Sequence, residues 1–162
     1  MYKEIKIDLE DVSGDVVLHF NDMTELDSFD DNSVGFVWSG QSIEHVSKEA
    51  GEKMCRSVHR VLKEGGAFCL DTPNRLLTQI HTRDVGGGFI HPEHFIEYTP
   101  MQLDSLLRKS GFFIAHRLGV REMLKTAQSG IFFYEDFVAG AEISENIEAS
   151  YIQYFHCLKM SH

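Results

Sequence analysis

Histidines dominate the residues able to do chemistry in this chain. His81, His91 and His94 fall in one stretch, with Glu93 and Glu97 among them. Imidazole titrates near neutral pH, so it suits proton removal or acceptor positioning, and His91 and His94 are the catalytic candidates. The same set could offer metal ligands, but Pro92 inside the His91-Pro92-Glu93-His94 spacing argues against one continuous helix presenting both rings. No metal is therefore expected. For any single histidine, ordinary hydrogen bonding is the default, and His45 is read as a cap for the helix after it. Carboxylates after apolar runs form a second set. Asp22 follows one such run, and an aspartate there is more often a turn former than a ligand.

The elements that must position these groups follow from periodicity. Residues 2–8 alternate apolar and polar and suggest a short strand, and Val16-Val17-Leu18-His19-Phe20 reads as a strand buried on both faces. Val34-Gly35-Phe36-Val37-Trp38 reads as another buried strand, with Gly35 admitting a neighbouring helix, and Trp38 and the phenylalanines are assigned to the core. Ala50, Met54, Val58, Val61 and Leu62 recur at helical spacing after the N-cap candidate Ser47, with Gly65-Gly66 as the stop. Ala67-Phe68-Cys69-Leu70 then makes a strand, which completes a parallel crossover and ends at Asp71-Thr72-Pro73-Asn74. Residues 75–98 lack clear periodicity and read as a lid-like loop. Thr99-Pro100-Met101-Gln102 is a capping box that opens a helix ending at Ser110-Gly111. A strand follows from Phe112, residues 121–148 read as an insertion, and Tyr151 to Leu158 as a last strand.

The chain has 162 residues, enough for one domain with a core, and no apolar run reaches the ~18–20 residues that span a bilayer. The start lacks the apolar stretch of a signal peptide, so a cytoplasmic protein that does not engage membranes is expected. Cys55, Cys69 and Cys157 stand singly in apolar patterns and read as reduced core thiols. Net charge is −10, and ten acidic residues against two lysines precede Val37, which argues against a nucleic-acid partner. Arg108, Lys109, Arg117, Arg121 and Lys125 form a modest basic run, read as a solvated face.

Three blocks carry a resemblance. Phe29-Asp30-Asp31-Asn32-Ser33-Val34-Gly35-Phe36-Val37-Trp38, then Ile43-Glu44-His45-Val46, then Arg60-Val61-Leu62-Lys63-Glu64-Gly65-Gly66-Ala67-Phe68 closely resemble the type 11 family of class I S-adenosylmethionine-dependent methyltransferases. The likeness continues through Asp71-Thr72-Pro73-Asn74 and Gly111-Phe112. It implies an α/β, three-layer, Rossmann-like sheet, mostly parallel with a final antiparallel strand, in one domain over residues 1–162. It also implies S-adenosylmethionine as cofactor, with Asp8 on the ribose, Asp22 and Met23 beside the adenine, and Ser39, Gly40 and Gln41 facing the methionine moiety. Ser42, Glu44 and His45 would lie nearby. The stretch from His91 to Thr99 is similar to one found in sugar-modifying relatives, so a small-molecule or saccharide acceptor is expected.

The family's first strand and GxGxG loop would precede Tyr2, so the domain reads as truncated at its N-terminus. A homodimer is then the expected way to cover the exposed strand edges. The alternative function is a non-catalytic remnant or subunit with this fold, acting through dimerisation or a partner chain.

Overall fold

The computed structural model describes residues 21–161. The expected strands at residues 2–8 and 16–20, and with them Asp8, lie outside the described residues. The chain then runs β1 (Val34–Gly40), a 3-10 turn (Ile43–His45), α1 (Lys48–Val61), β2 (Leu62–Pro73) and α2 (Arg75–Arg83). It continues with α3 (Pro100–Lys109), β3 (Phe112–Glu122), α4 (Leu124–Ser129), α5 (Tyr134–Val138), β4 (Ile143–Ser144) and β5 (Ser150–Lys159).

These elements form one five-stranded sheet in the order β1-β2-β5-β3-β4. β1 and β2 are parallel, joined through α1 as the crossover predicts. The mostly parallel expectation is corrected: β5 inserts between β2 and β3 and runs antiparallel to both, and β4 is antiparallel to β3. Among the described residues one of the four pairings is parallel.

α1 forms where its spacing places it. Ser47 Oγ accepts the amide of Ala50, and Gly51, Met54, Cys55, Val58 and Val61 make the buried stripe. The helix stops at Val61, before the expected Gly65-Gly66 stop, because Leu62 turns to extended backbone and starts β2. α3 opens with both bonds of the capping box, between Thr99 and Gln102. Leu103, Leu106 and Leu107 of α3 join Met54, Cys55 and Val58 of α1 over Phe68, Leu70, Phe112, Ile114, Phe155 and Cys157 of the sheet. Gly51 permits close packing there: a Cβ at that position would stand 3.0 Å from the Tyr98 hydroxyl and 3.4 Å from Ile43. All three cysteines are buried and free, as expected.

Three further expectations change. Phe36 and Trp38 are 57% and 55% exposed, so β1 is not a doubly buried strand. Val37 packs on the core, and alternation turns its neighbours to the sheet face away from α1 and α3, where Phe113 is also exposed. A Cβ at Gly35 would meet nothing within 4 Å, so among the described residues no helix approaches there. Residues 75–98 do not form a single loop, because the Asn74 side chain accepts the Leu76 amide and starts α2. Asn74 Nδ2 also donates to the carbonyls of Ile147 and Ser150, which ties the end of β2 to the start of β5. Residues 121–148 contain α4, α5 and β4, with Met123 packed against Leu77 and Tyr151 in a second small core.

Candidate functional site

The parallel pair β1 and β2 puts two strand carboxyl ends side by side, which is where ligands sit in open α/β sheets. Ser39 is buried, Gly40 and Gln41 are exposed, and Gln41 has φ of +45°, a left-handed turn that breaks the strand. The Gln41 side chain donates to Asp71 Oδ1, and its amide donates to the Asp71 carbonyl at 3.1 Å. A Cβ on Gly40 would stand 3.0 Å from Trp38 Nε1 and 3.4 Å from Asp71 Oδ2. Ser39, Gly40 and Gln41 thus meet Trp38 and Asp71, neither of which is among the sequence candidates. Their shared position at adjacent strand ends is the signal that only the pairing reveals.

Asp22 lies in an exposed turn, where Oδ1 accepts the Thr24 amide at 2.8 Å and the Thr24 hydroxyl at 2.7 Å. Those bonds, the backbone one foremost, hold its carboxyl below the usual range. Met23 packs partly buried against the main core.

The 3-10 turn after β1 carries the second group. The amides of Phe95 and Ile96 donate to the Glu44 carbonyl at 2.8 and 3.3 Å, which docks the segment after α2 on this turn. As a result His45, His91 and His94 cluster, with ring centroids 4.8 Å apart for His45 and His94, 5.5 Å for His91 and His94, and 6.0 Å for His45 and His91. His45 does not cap α1, since Ser47 holds that place; its Nδ1 lies 3.3 Å from the Glu93 carbonyl. His94 Nδ1 lies 2.9 Å from Glu97 Oε1. His81 is elsewhere, stacked on Phe132 at 4.0 Å and bonded to the Tyr151 hydroxyl, with burial pulling its pKa down.

Glu97 is fully buried and anchors this segment. It accepts from the Ile90 amide at 2.8 Å, Arg75 at 3.2 Å, His94 and the Thr78 hydroxyl. Burial alone would raise its pKa, but these bonds outweigh it and hold the carboxyl below the ordinary value. Glu44 is the opposite case. Burial pushes its carboxyl up, Oε2 accepts the Thr72 hydroxyl at 2.8 Å, and Oε1 has no hydrogen-bond partner.

The basic run does not form one face: Arg108 and Arg117 both pair with Asp104, while Arg121 lies over the Phe137 ring. A separate groove of about 630 Å³ runs between α1 and α3, lined by Lys48, Glu52, Arg56, Tyr98 and Lys109 among others, and includes none of the residues at the β1 end. Among the described residues no helix is long and apolar enough to cross a membrane.

Residues 3–70 match the family model of the methyltransferase domain. That match takes in less than half of the chain, so the likeness is to a methyltransferase domain over this stretch. A probable S-adenosylmethionine-dependent methyltransferase of Mycolicibacterium smegmatis is 37% identical over 90 residues, which are 56% of this chain and 33% of that protein. An S-adenosylmethionine-dependent methyltransferase from Thermotoga maritima superposes with a TM-score of 0.64 at 17% identity, over 86% of this chain and 62% of that one. The small RNA methyltransferase HEN1 does so with a TM-score of 0.60 at 17% identity, over 88% of this chain and 16% of that one. The chain therefore spans about a third of the curated relative's length. S-adenosylmethionine is the cofactor named for these methyltransferases, and of the residues expected on its methionine side Gly40 and Gln41 are exposed while Ser39 is buried.

Proposed function

We propose that this chain supports methyl transfer from S-adenosylmethionine to a small-molecule or saccharide acceptor. The observation that carries this reading is the adjacency along the chain of two groups, the Ser39-Gly40-Gln41 turn beside Asp71 and the histidine cluster that begins at His45. Methyl transfer from a sulfonium is an in-line displacement, so the protein aligns the acceptor and removes its proton. In this reading the β1 turn holds the methionine moiety and Asp22 accepts from the adenine amino group with the oxygen that its turn does not use. Met23 packs beside the ring.

His94 is the acceptor-side base. Ionised Glu97 keeps the proton on Nδ1 and leaves the Nε2 lone pair to accept. His91 positions the acceptor. A small or saccharide acceptor is favoured over nucleic acid by the charge of −10, although HEN1, with a similar fold, acts on small RNA.

Calorimetric titration with S-adenosylmethionine and its demethylated product tests the donor site. Saturable binding that Asp22→Ala weakens at least tenfold supports it. No heat at millimolar ligand from a folded chain removes it.

The exposed aromatic face of Phe36, Trp38 and Phe113 favours a second reading, a subunit that works by pairing with another copy or a partner. Sedimentation velocity across a hundredfold concentration range checks this; a monomer throughout excludes the homodimer.

A further inference from the structure

Glu44 is the buried group that methyl transfer leaves unused. Its carboxylate is wholly buried, and Oε1 has no partner although Oε2 is held by Thr72. A buried oxygen left this way is costly, the more so when charged, unless something outside the protein chain satisfies it. One ligand atom each from Glu44, His45 and His94 lie within 4.8 Å of one another.

The tautomers decide what that something is. Glu97 Oε1 and the Glu93 carbonyl can only accept, so His94 and His45 each carry their proton on Nδ1 and a lone pair on Nε2. A carboxylate or carbonyl on one ring nitrogen is the arrangement that orients metal-bound histidines. His91 is wired the other way. Its Nδ1 accepts the Glu93 amide at 3.2 Å, so its proton sits on Nε2 and no lone pair remains for a cation.

We propose that Glu44, His45 and His94 bind a divalent transition-metal ion, zinc on the evidence of two imidazoles and one carboxylate. Two histidines and a glutamate leave the fourth position of a tetrahedral ion for water or an acceptor oxygen. Bonds of roughly 2.0–2.2 Å place ligands about 3.3 Å apart, so the ion draws the groups together by small side-chain rotations. Pro92 interrupts the His91–His94 spacing, but these donors come from two segments joined by the Phe95 and Ile96 amides on the Glu44 carbonyl.

Metal binding stands apart from the methyl-transfer reading, but the ion's role rests on it. In the loaded protein the ion, in place of free His94, lowers the pKa of the acceptor hydroxyl.

The test is calorimetric titration of the chelator-treated chain with zinc chloride, without donor or acceptor. One ion per chain is expected, with affinity at least tenfold weaker in His45→Ala, His94→Ala and the near-isosteric Glu44→Gln, and unchanged in His91→Ala. Glu97→Gln, which removes no proposed ligand and reaches the site through His94 Nδ1, is expected to weaken binding about 10- to 100-fold. Circular dichroism establishes that each variant is folded, and Glu44→Gln decides if an alanine variant is not. No saturable binding by the parent chain overturns the proposal, as does parent-like affinity in the folded variants, which would assign the ion to other histidines or the thiols. Zinc binding without S-adenosylmethionine binding would overturn the donor reading alone.

Discussion

Glu97 shows how a single buried carboxylate organises its surroundings. Four donors from α2, from the segment after it and from His94 converge on it, so it stays ionised where burial alone would neutralise it. A carboxyl whose folded pKa is depressed adds stability above its unfolded pKa, near 4.5, and loses that contribution as pH falls through the folded value. Unfolding free energy in urea is thus expected to drop below about pH 4.5, and Glu97→Gln to flatten that dependence and cost roughly 1.5–3 kcal/mol at pH 7. An unchanged acid limb in the variant would contradict this. The buried thiols behave in reverse: burial pushes Cys55 and Cys157 up to about 12. The unfolded thiols ionise near pH 9 while the folded ones do not, so stability is expected to fall as pH rises from about 9 towards 12. Alkylating reagents at pH 8 are expected to leave Cys55 unmodified in the folded chain, which mass spectrometry can check. Sequence located His91 and His94 but not their opposite tautomers, because Glu93 and Glu97 act through folded geometry that spacing does not carry.

Elements with local signals were legible before folding was considered. Ser47 and the Thr99–Gln102 box are short-range hydrogen-bond chemistry, and both start helices where the sequence places them. α2 escaped because its cap, Asn74, lies behind Pro73, and its buried residues include Thr78 and Thr82, whose hydroxyls bond within the segment. The apolar run of β1 predicts its place but not its exposed face, since strand length shows pairing and does not show what covers each face. β3 is longer than its apolar start suggests, because its far half packs against β5 through backbone contacts. Gly119 marks that contact: a Cβ there would stand 2.0 Å from Ser150 Oγ and 2.3 Å from Ser150 Cβ, and Ser150 is fully buried. Gly119→Ala is expected to lower unfolding free energy by about 1–3 kcal/mol, with recovery in Gly119→Ala combined with Ser150→Gly. Additive losses in the double variant, measured by urea unfolding, would show that the close approach is not the cause.

At the scale of the molecule, the sheet is unequally clothed: α1 and α3 cover one face, while Phe36, Trp38 and Phe113 stand open on the other. A Rossmann-like α/β fold is legible from three sequence blocks, yet the antiparallel pairing among the described strands is not, because β5, late in the chain, inserts between β2 and β3. Trp38 is the single tryptophan and joins the two questions that matter most, since its indole lies over Gly40 beside the β1 turn and on the open face. At 55% exposure its emission is expected to be red-shifted, as for an indole in water. A ligand seated at Ser39 to Gln41 would desolvate the ring at any protein concentration, giving a saturable blue shift with S-adenosylmethionine. Association through the open face would instead shift emission with protein concentration and no ligand. A ligand-dependent, concentration-independent change supports the donor crevice. A shift that follows concentration alone supports pairing through the aromatic face, and emission unmoved by either would argue that neither ligand nor partner reaches Trp38.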